Sequence, residues 1–166
     1  MKHLIEQLQE ELKKLNEQEE ALWEVHFKGH VPYEQVRPKI KELQAKQEAK
    51  ANEIVTAKMK AVQVGDGITI RIYTDCEAYT VIARTEKTLT LQRDKATLKD
   101  SWKPEFVPGG FAMHCCNQED QEYDYEADPN GKIIKVYWSN KYGRWLPPKG
   151  HANLMLGRHE YYDYNF

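Results

Sequence analysis

Residues 65–73 read GDGITIRIY, and this stretch decides the fold of the larger part of the chain. Its isoleucines alternate with polar side chains, which is the pattern of a strand with one buried face. The same alternation returns in residues 79–83 and 88–92, each time after a short turn-like segment. The sequence therefore predicts an antiparallel meander of three strands, of the kind that begins a small barrel or a strongly curved sheet.

Further strands are expected after this meander. Residues 95–122 contain several Pro and Gly residues and predict a long loop. Strand patterns return at residues 123–126 and 133–138, and DPNG at residues 128–131 predicts a turn that pairs these two strands with each other. Short strands follow, and we expect the aromatic C-terminus to be held against the sheet.

Two helices are predicted before the meander. Apolar residues spaced three and four apart form one seam within residues 5–26 and a weaker one within residues 36–61. Polar residues weaken the first seam at Glu19 and His26 and interrupt the second at Gln47 and Lys50. The short link between the helices predicts an antiparallel hairpin. The expected class is α+β, with a helical hairpin at residues 1–63 and a compact antiparallel β module, a small barrel or curved sheet, at residues 64–166.

Composition excludes some function classes. The 24 Lys and Arg residues are balanced by 26 Asp and Glu, which gives a formal net charge of -2. A binder of long nucleic acid held by bulk positive charge is therefore not expected. No apolar stretch approaches the length of a membrane span, and the N-terminus lacks the apolar core of a secretory signal. We expect a cytoplasmic protein with no membrane partner.

Familiar catalytic and metal-binding motifs are absent from the sequence. It has no GxxxxGK[ST], GxGxxG, GxSxG or HExxH segment. The adjacent Cys115 and Cys116 lack the spacer with which paired thiolates hold zinc, and an odd total of three cysteines disfavours a disulfide framework. We expect no enzymatic activity, no metal and no cofactor.

Cations and aromatic residues alternate in the second part of the chain, where fifteen of the eighteen aromatics lie after residue 62. Planar rings and guanidinium groups stack on bases, and Arg and Lys neutralise phosphates. A second interpretation is that these aromatics form the core and the cations its rim. The candidate ligand-binding residues are Arg158, Asn140, Arg144, Trp138, Arg93 and Lys95.

Several stretches of residues 64–166 resemble the phage-encoded Thoeris anti-defence sponges, which bind cyclic nucleotides. The resemblance does not extend to the first 63 residues, and the ending is its most specific part. The matching stretches are VGDG at 64–67, YTVI at 79–82, LQRDKA at 91–96, PGGF at 108–111, DPNG at 128–131 and GRHEYYDYNF at 157–166.

The resemblance implies a homo-oligomer that sequesters immune signals such as cyclic ADP-ribose isomers, and in some cases cyclic oligonucleotides, without degrading them. Such a protein would act in the cytoplasm of the phage's host. By chemistry and motif, Arg158 is then expected to bind phosphate, Asn140 and Arg144 to contact ribose or base, and Trp138 to stack. Arg93 and Lys95 are secondary candidates.

Two rival functions remain open at this point. The chain is alternatively a β-barrel interaction module that binds protein or nucleic acid through its helical arm and long loop. An enzyme such as a phosphodiesterase is the other rival, and it would return an altered ligand.

Overall fold

The structure is a computed structural model that describes residues 1–109, 112–148 and 153–165. The chain divides into two compact units, Met1–Ala61 and Val62–Phe166. The predicted α+β class is confirmed, because two helices precede an antiparallel sheet that is nearly closed into a barrel. Gly110, Phe111 and Phe166, which belong to the stretches quoted above, lie outside the described residues.

The first unit is a hairpin of two long helices, α1 (Lys2–Phe27) and α2 (Tyr33–Ala61). Gly29 follows the end of α1 with a φ of +75°, a left-handed conformation that glycine adopts without steric cost. Its N–H donates to the carbonyl of His26 at 2.9 Å, which ends the helix. No helix in the described residues has the length and apolar character needed to cross a membrane.

The polar interruptions of the seams connect the two helices. Glu19 of α1 accepts hydrogen bonds from the side-chain amides of Gln44 and Gln47 of α2, both at 2.8 Å. The Lys50 Nζ atom lies 2.8 Å from Glu11 Oε2. Because each polar group meets its partner at only one alignment, these contacts favour a single register of α1 on α2.

Replacing Glu19 with glutamine is expected to make the hairpin less sensitive to acid. Hydrogen bonds from Gln47 and Gln44 hold the pKa of Glu19 below its usual value of 4.5. A lowered folded-state pKa adds stability above the unfolded-state pKa, and that stability is lost as the pH falls through the folded-state value. The melting temperature of the variant, followed by the helical circular dichroism of the full chain, should fall less than that of the wild type on acidification from neutral pH.

Glu17→Gln is the matched control for this experiment. Glu17 lies on the exposed surface of α1, with its Oε1 atom 3.9 Å from Lys13 Nζ, so it contributes little to stability. Equal acid sensitivity in the Glu19 and Glu17 variants would contradict the role given to Glu19.

The described part of the second unit contains ten strands and one short 3-10 helix, Gln118–Asp120. The strands are β1 (Gly67–Ile72), β2 (Asp75–Arg84), β3 (Thr88–Arg93), β4 (Lys95–Leu98), β5 (Phe106–Gly109), β6 (Ala112–Cys115), β7 (Tyr123–Glu126), β8 (Ile133–Ser139), β9 (Arg144–Leu146) and β10 (Asn153–Leu156). Six of them form the main sheet in the order β10-β1-β2-β3-β8-β9, all antiparallel. The predicted meander of β1, β2 and β3 is thus confirmed.

Alternation separates the two faces of this sheet. Alternate side chains of β1, β2, β3 and β8 are fully buried on the inner face: Ile68, Ile70, Tyr79, Val81, Leu89, Leu91 and Val136. Arg71, which follows Ile70 in β1, projects from the opposite, outer face and is exposed. The outer face of β1 and β2 is therefore the surface on which further elements can build a site.

Two sequence predictions about the β unit are wrong. Residues 95–122 are not one loop, because they contain β4, β5, β6 and the 3-10 helix. The two strands on either side of DPNG do not pair with each other. Instead β7 pairs with β4, with Lys95 opposite Glu126, and β8 pairs with β3, with Gln92 opposite Ile133.

The physical reason lies at Asp94 and the DPNG segment. Asp94 alone connects β3 to β4. In the segment that pairs with them, residues 127–132 connect β7 to β8. Residues 127–132, the longer of the two connections, therefore turn a corner between the β4–β7 pair and the β3–β8 pair. They do not close a hairpin between β7 and β8. Gly131 lies at this corner, where an added Cβ would be 2.1 Å from the carbonyl oxygen of Arg93, so only glycine fits.

Candidate functional site

Residues 157–165, here called the C-terminal segment, fold back along the sheet. The Thr69 hydroxyl donates to the carbonyl of Gly157 at 2.8 Å, and Tyr161 exchanges backbone hydrogen bonds of 2.9 and 3.0 Å with Cys76. Near the end, the Asn165 side chain bonds both backbone groups of Cys115 at 2.7 and 3.2 Å. The prediction that this aromatic terminus is held in place is confirmed for its described residues.

Arg158 fastens the start of the C-terminal segment. Its Nε donates to Asp94 Oδ2 at 2.9 Å, and its Nη2 donates to Thr80 Oγ1 at 2.7 Å. The Asp94 side chain is only 3% exposed, so Arg158 balances a buried charge. Gly67 makes this approach possible, because an added Cβ would lie 2.6 Å from Arg158 Cγ and 3.1 Å from the Arg158 backbone nitrogen.

Gly67→Ala is expected to reduce the free energy of unfolding by about 1–3 kcal/mol, the usual cost of overpacking. The added methyl group must displace Arg158 and weaken its bond to buried Asp94. Denaturant unfolding of the full chain measures this loss. Gly109→Ala is the control, because nothing lies within 4 Å of a Cβ at that position. Equal stability of the two variants would show that the close approach of Arg158 does not matter.

Arg93 makes a second ionic contact with the C-terminal segment. Its Nη1 donates to the carbonyl oxygens of Ala78 and Asp94 at 2.9 and 2.8 Å, and its Nη2 donates to Glu160 Oε1. The other oxygen of Glu160 accepts the Ala78 N–H at 2.9 Å. Arg93 and Arg158, two of the predicted ligand residues, thus have their charges matched by carboxylates of the fold.

The other predicted ligand residues lie elsewhere on the β unit. Lys95 is on β4, where its Nζ contacts Glu126 at 3.1 Å. Trp138 packs edge-to-face on Trp145 with ring centroids 5.1 Å apart, and its Nε1 donates to Asn140 Oδ1 at 2.9 Å.

The six predicted residues do not form one site. Arg93 is level with Lys132, whose carbonyl accepts its N–H at 2.9 Å, whereas Trp138 lies at the other end of β8. Six residues of strand separate these positions by roughly 20 Å. The structure therefore brings together Trp138, Asn140 and Arg144 at the β8–β9 hairpin and places Arg93 and Arg158 at the C-terminal segment.

A groove of about 510 Å³ lies beside the C-terminal segment and is here called the C-terminal groove. Chemically active side chains from four parts of the unit line it: Arg71, Cys76, Glu119, His159, Tyr161 and Asp163. Its volume falls within the range of roughly 300–1,000 Å³ that is usual for small-molecule sites.

Strand register explains how the groove is built. Arg71 of β1 is directly opposite Cys76 of β2, and Cys76 is opposite Tyr161 of the C-terminal segment. Residues opposite each other project from the same face, so these three side chains share a row. Two strand spacings place Arg71 and Tyr161 about 10 Å apart across this row, with buried Cys76 between them.

Arg71 is the cation of the groove with spare bonding capacity. Its Nε donates to the carbonyl of Tyr73 at 3.0 Å, which fixes the side chain. Within residues 1–109, 112–148 and 153–165, no carboxylate oxygen lies within 4 Å of its guanidinium nitrogens. Unlike Arg93 and Arg158, this exposed arginine therefore keeps the edge of its guanidinium group for an anion.

His159 and Tyr161 form an aromatic wall. Their rings are nearly parallel, with an interplanar angle of 20° and centroids 6.3 Å apart. His159 is exposed, and it makes no hydrogen bond to any other described residue. Its ring is therefore free to stack on a planar ligand.

The remaining wall is acidic, and two reactive side chains beside it have raised pKa values. The Tyr161 hydroxyl donates to Glu119 Oε1 at 3.0 Å, and burial together with this bond raises the pKa of Tyr161 to about 12. Burial also raises the pKa of the Cys76 thiol. The Tyr161 hydroxyl and the Cys76 thiol are therefore protonated at neutral pH.

The sequence carries a signal for Arg71 and for the aromatic wall. Arg71 is one of the polar residues that alternate with the isoleucines in the first strand of the meander. A cation at such a position is a candidate for a binding site. His159 and Tyr161 lie within the ending GRHEYYDYNF, where aromatic residues alternate with the cation Arg158.

Comparison with known proteins identifies no relative. No family model, no curated protein and no solved structure matches the chain.

Proposed function

We propose that this protein captures a small nucleotide in the C-terminal groove and holds it without degrading it. One observation carries the proposal: the guanidinium group of Arg71, which has no carboxylate partner among the described residues, lies across a groove of about 510 Å³ from the stacked rings of His159 and Tyr161. A cation for phosphate and an aromatic face for a base are the two contacts that a nucleotide needs.

Each part of a nucleotide has a matching group in the groove. Arg71 donates two parallel hydrogen bonds to a phosphate, the geometry in which guanidinium binds most strongly. The base stacks on His159. The carboxylates of Glu119 and Asp163 accept hydrogen bonds from ribose hydroxyls, a role that acidic residues have in other nucleotide sites.

The class of ligand follows from the resemblance of the closing stretch to the Thoeris anti-defence sponges. Residues 157–165 of that stretch provide His159, Tyr161 and Asp163, which line the groove. We therefore propose that the ligand is a cyclic nucleotide immune signal, such as a cyclic ADP-ribose isomer, sequestered in the host cytoplasm by a phage-encoded protein. Slow release serves this function, and no chemical step is needed.

Assembly into a homo-oligomer is the second part of the proposal. The helical hairpin has an apolar groove of about 490 Å³ beside Leu4, Leu8 and Ala57, and Met1 and Leu4 are exposed there. An apolar groove with exposed aliphatic residues on a coiled-coil-like hairpin supports contact with another copy of the chain. Sedimentation of the purified protein measures the number of copies.

Calorimetric titration tests the binding function. Cyclic ADP-ribose isomers and cyclic di- and trinucleotides are titrated separately into the full chain, and at least one is expected to bind with micromolar or better affinity. The ligand is then released by heat and compared with the starting compound by chromatography. Recovery of an altered nucleotide would indicate an enzyme, and binding of none of these compounds would refute the proposal.

A further inference from the structure

The segment from Pro129 to Pro148 has a charge unlike that of the rest of the chain. It contains four cations and no Asp or Glu, in a protein whose formal net charge is -2. The four cations are Lys132, Lys135, Lys141 and Arg144. Within the described part of the chain, none of them lies within 4 Å of a carboxylate oxygen. This segment is therefore a local positive patch with no carboxylate partner among the described residues.

Exposed tyrosines lie within the same patch. Tyr137 of β8 is 57% exposed, and Tyr142 of the β8–β9 turn is 54% exposed. Lys141 Nζ is 5.0 Å and Arg144 Cζ is 5.7 Å from the centroid of the Tyr142 ring. Cations and exposed aromatic rings are thus interleaved at side-chain distance.

Strand register places the patch on one face. Tyr137 is opposite Leu146 and Ser139 is opposite Arg144, so Tyr137 and Arg144 are diagonal neighbours on the same face of the β8–β9 pair. Lys135, two residues before Tyr137, shares this face. Trp138 and Trp145 lie on the other face of the hairpin. They pack on each other there and stabilise the hairpin.

We propose that this face of the β8–β9 hairpin binds a short stretch of single-stranded nucleic acid. Bases stack on Tyr137 and Tyr142, while Lys141, Arg144 and Lys135 contact the phosphates between them. The site differs in location and residues from the C-terminal groove, and it stands independently of the proposed capture of a cyclic nucleotide.

Single-stranded nucleic acid fits this chemistry better than other anionic partners. Exposed tyrosine rings stabilise unstacked bases, which a duplex does not offer. An acidic peptide or a lipid headgroup would satisfy the cations but leave both tyrosine rings without a stacking partner. The overall charge of -2 excludes binding by bulk charge, so contacts are limited to the few nucleotides that reach the patch.

Fluorescence anisotropy of a labelled oligothymidylate and an oligouridylate of about ten nucleotides tests the proposal on the full chain. The wild type is expected to bind at low salt. Tyr137→Ala combined with Tyr142→Ala should weaken binding by about 30-fold or more, since stacking contributes roughly 1–3 kcal/mol per base. Tyr142→Phe keeps the ring and should retain affinity.

Charge variants and controls complete the design. Lys141→Ala should reduce the slope of log affinity against log salt by about 0.7, the value for one phosphate contact on a single strand. Lys95→Ala, whose lysine contacts Glu126, should bind like the wild type.

Three results would overturn this proposal. The first is that neither oligonucleotide binds at low salt. The second is that the double tyrosine variant binds as well as the wild type while its circular dichroism is unchanged. The third is that a duplex or an anionic vesicle binds more tightly than the single strand. Failure of cyclic nucleotide binding would leave this proposal unaffected.

Discussion

Replacing Arg93 with alanine is expected to reduce the free energy of unfolding by about 3 kcal/mol, the lower part of the range for breaking a buried ion pair. The carboxylate of Glu160 would lose its guanidinium partner, with side-chain exposures of only 22% for Arg93 and 15% for Glu160. The carbonyl oxygens of Ala78 and Asp94 would also lose their bonds to Arg93 Nη1. Denaturant unfolding of the full chain gives the value.

Lys95→Ala is the matched control, two residues along the chain. Its Nζ lies 3.1 Å from Glu126 Oε2, but the side chains are 63% and 70% exposed. Solvent screening limits such a pair to about 0–1 kcal/mol. The difference between the two variants therefore reflects the burial of the Arg93 ion pair and its carbonyl hydrogen bonds, and not mere proximity of opposite charges. A loss in Arg93→Ala no greater than that in Lys95→Ala would show that Arg93 does not anchor the C-terminal segment.

Replacing Arg71 with alanine is expected to weaken nucleotide binding by about 10- to 150-fold. A charge-assisted hydrogen bond contributes roughly 1.5–3 kcal/mol, and each 1.4 kcal/mol corresponds to a factor of ten. Arg71 is exposed and bonds only the carbonyl of Tyr73 among the described residues, so the variant should fold normally. Calorimetry with whichever cyclic nucleotide binds the wild type measures the change.

Arg71→Lys separates charge from geometry in this experiment. A lysine keeps the positive charge but loses the planar pair of donors, so its affinity should lie between those of wild type and Arg71→Ala. Lys95→Ala serves as the control for lost charge outside the groove and should bind like the wild type. Unchanged affinity in Arg71→Ala, or an equal loss in Lys95→Ala, would remove Arg71 from the site.

Local sequence patterns allowed the meander and the helical hairpin to be predicted, from alternation in the strands and from apolar spacing of three and four residues in the helices. Each of these elements buries its own regular stripe, so sequence spacing identifies its inner face. The pairing of β7 and β8 was not predictable in this way. Their partners β4 and β3 are set by a corner at Asp94 and by the fit of Gly131 against the Arg93 carbonyl, which are contacts between distant segments.

Predicting the candidate site was harder for the same reason. Residue type marked Arg93 and Arg158 as candidate ligand-binding cations, but in the fold they bond the carboxylates of Glu160 and Asp94, which are 67 and 64 residues away in sequence. Only the folded chain shows which arginines are already neutralised. Arg71 became a candidate because its environment contains no such partner among the described residues, a property that spacing does not reveal.

Amide chemical-shift mapping of the labelled full chain with a cyclic nucleotide tests the central claim most directly, because it locates the ligand without any substitution. The largest changes are predicted at Arg71, at Gln118 and Glu119, and in residues 159–163, which together surround the C-terminal groove. Changes concentrated in residues 137–144 or in the two helices, or no change at all with any cyclic nucleotide, would contradict the account.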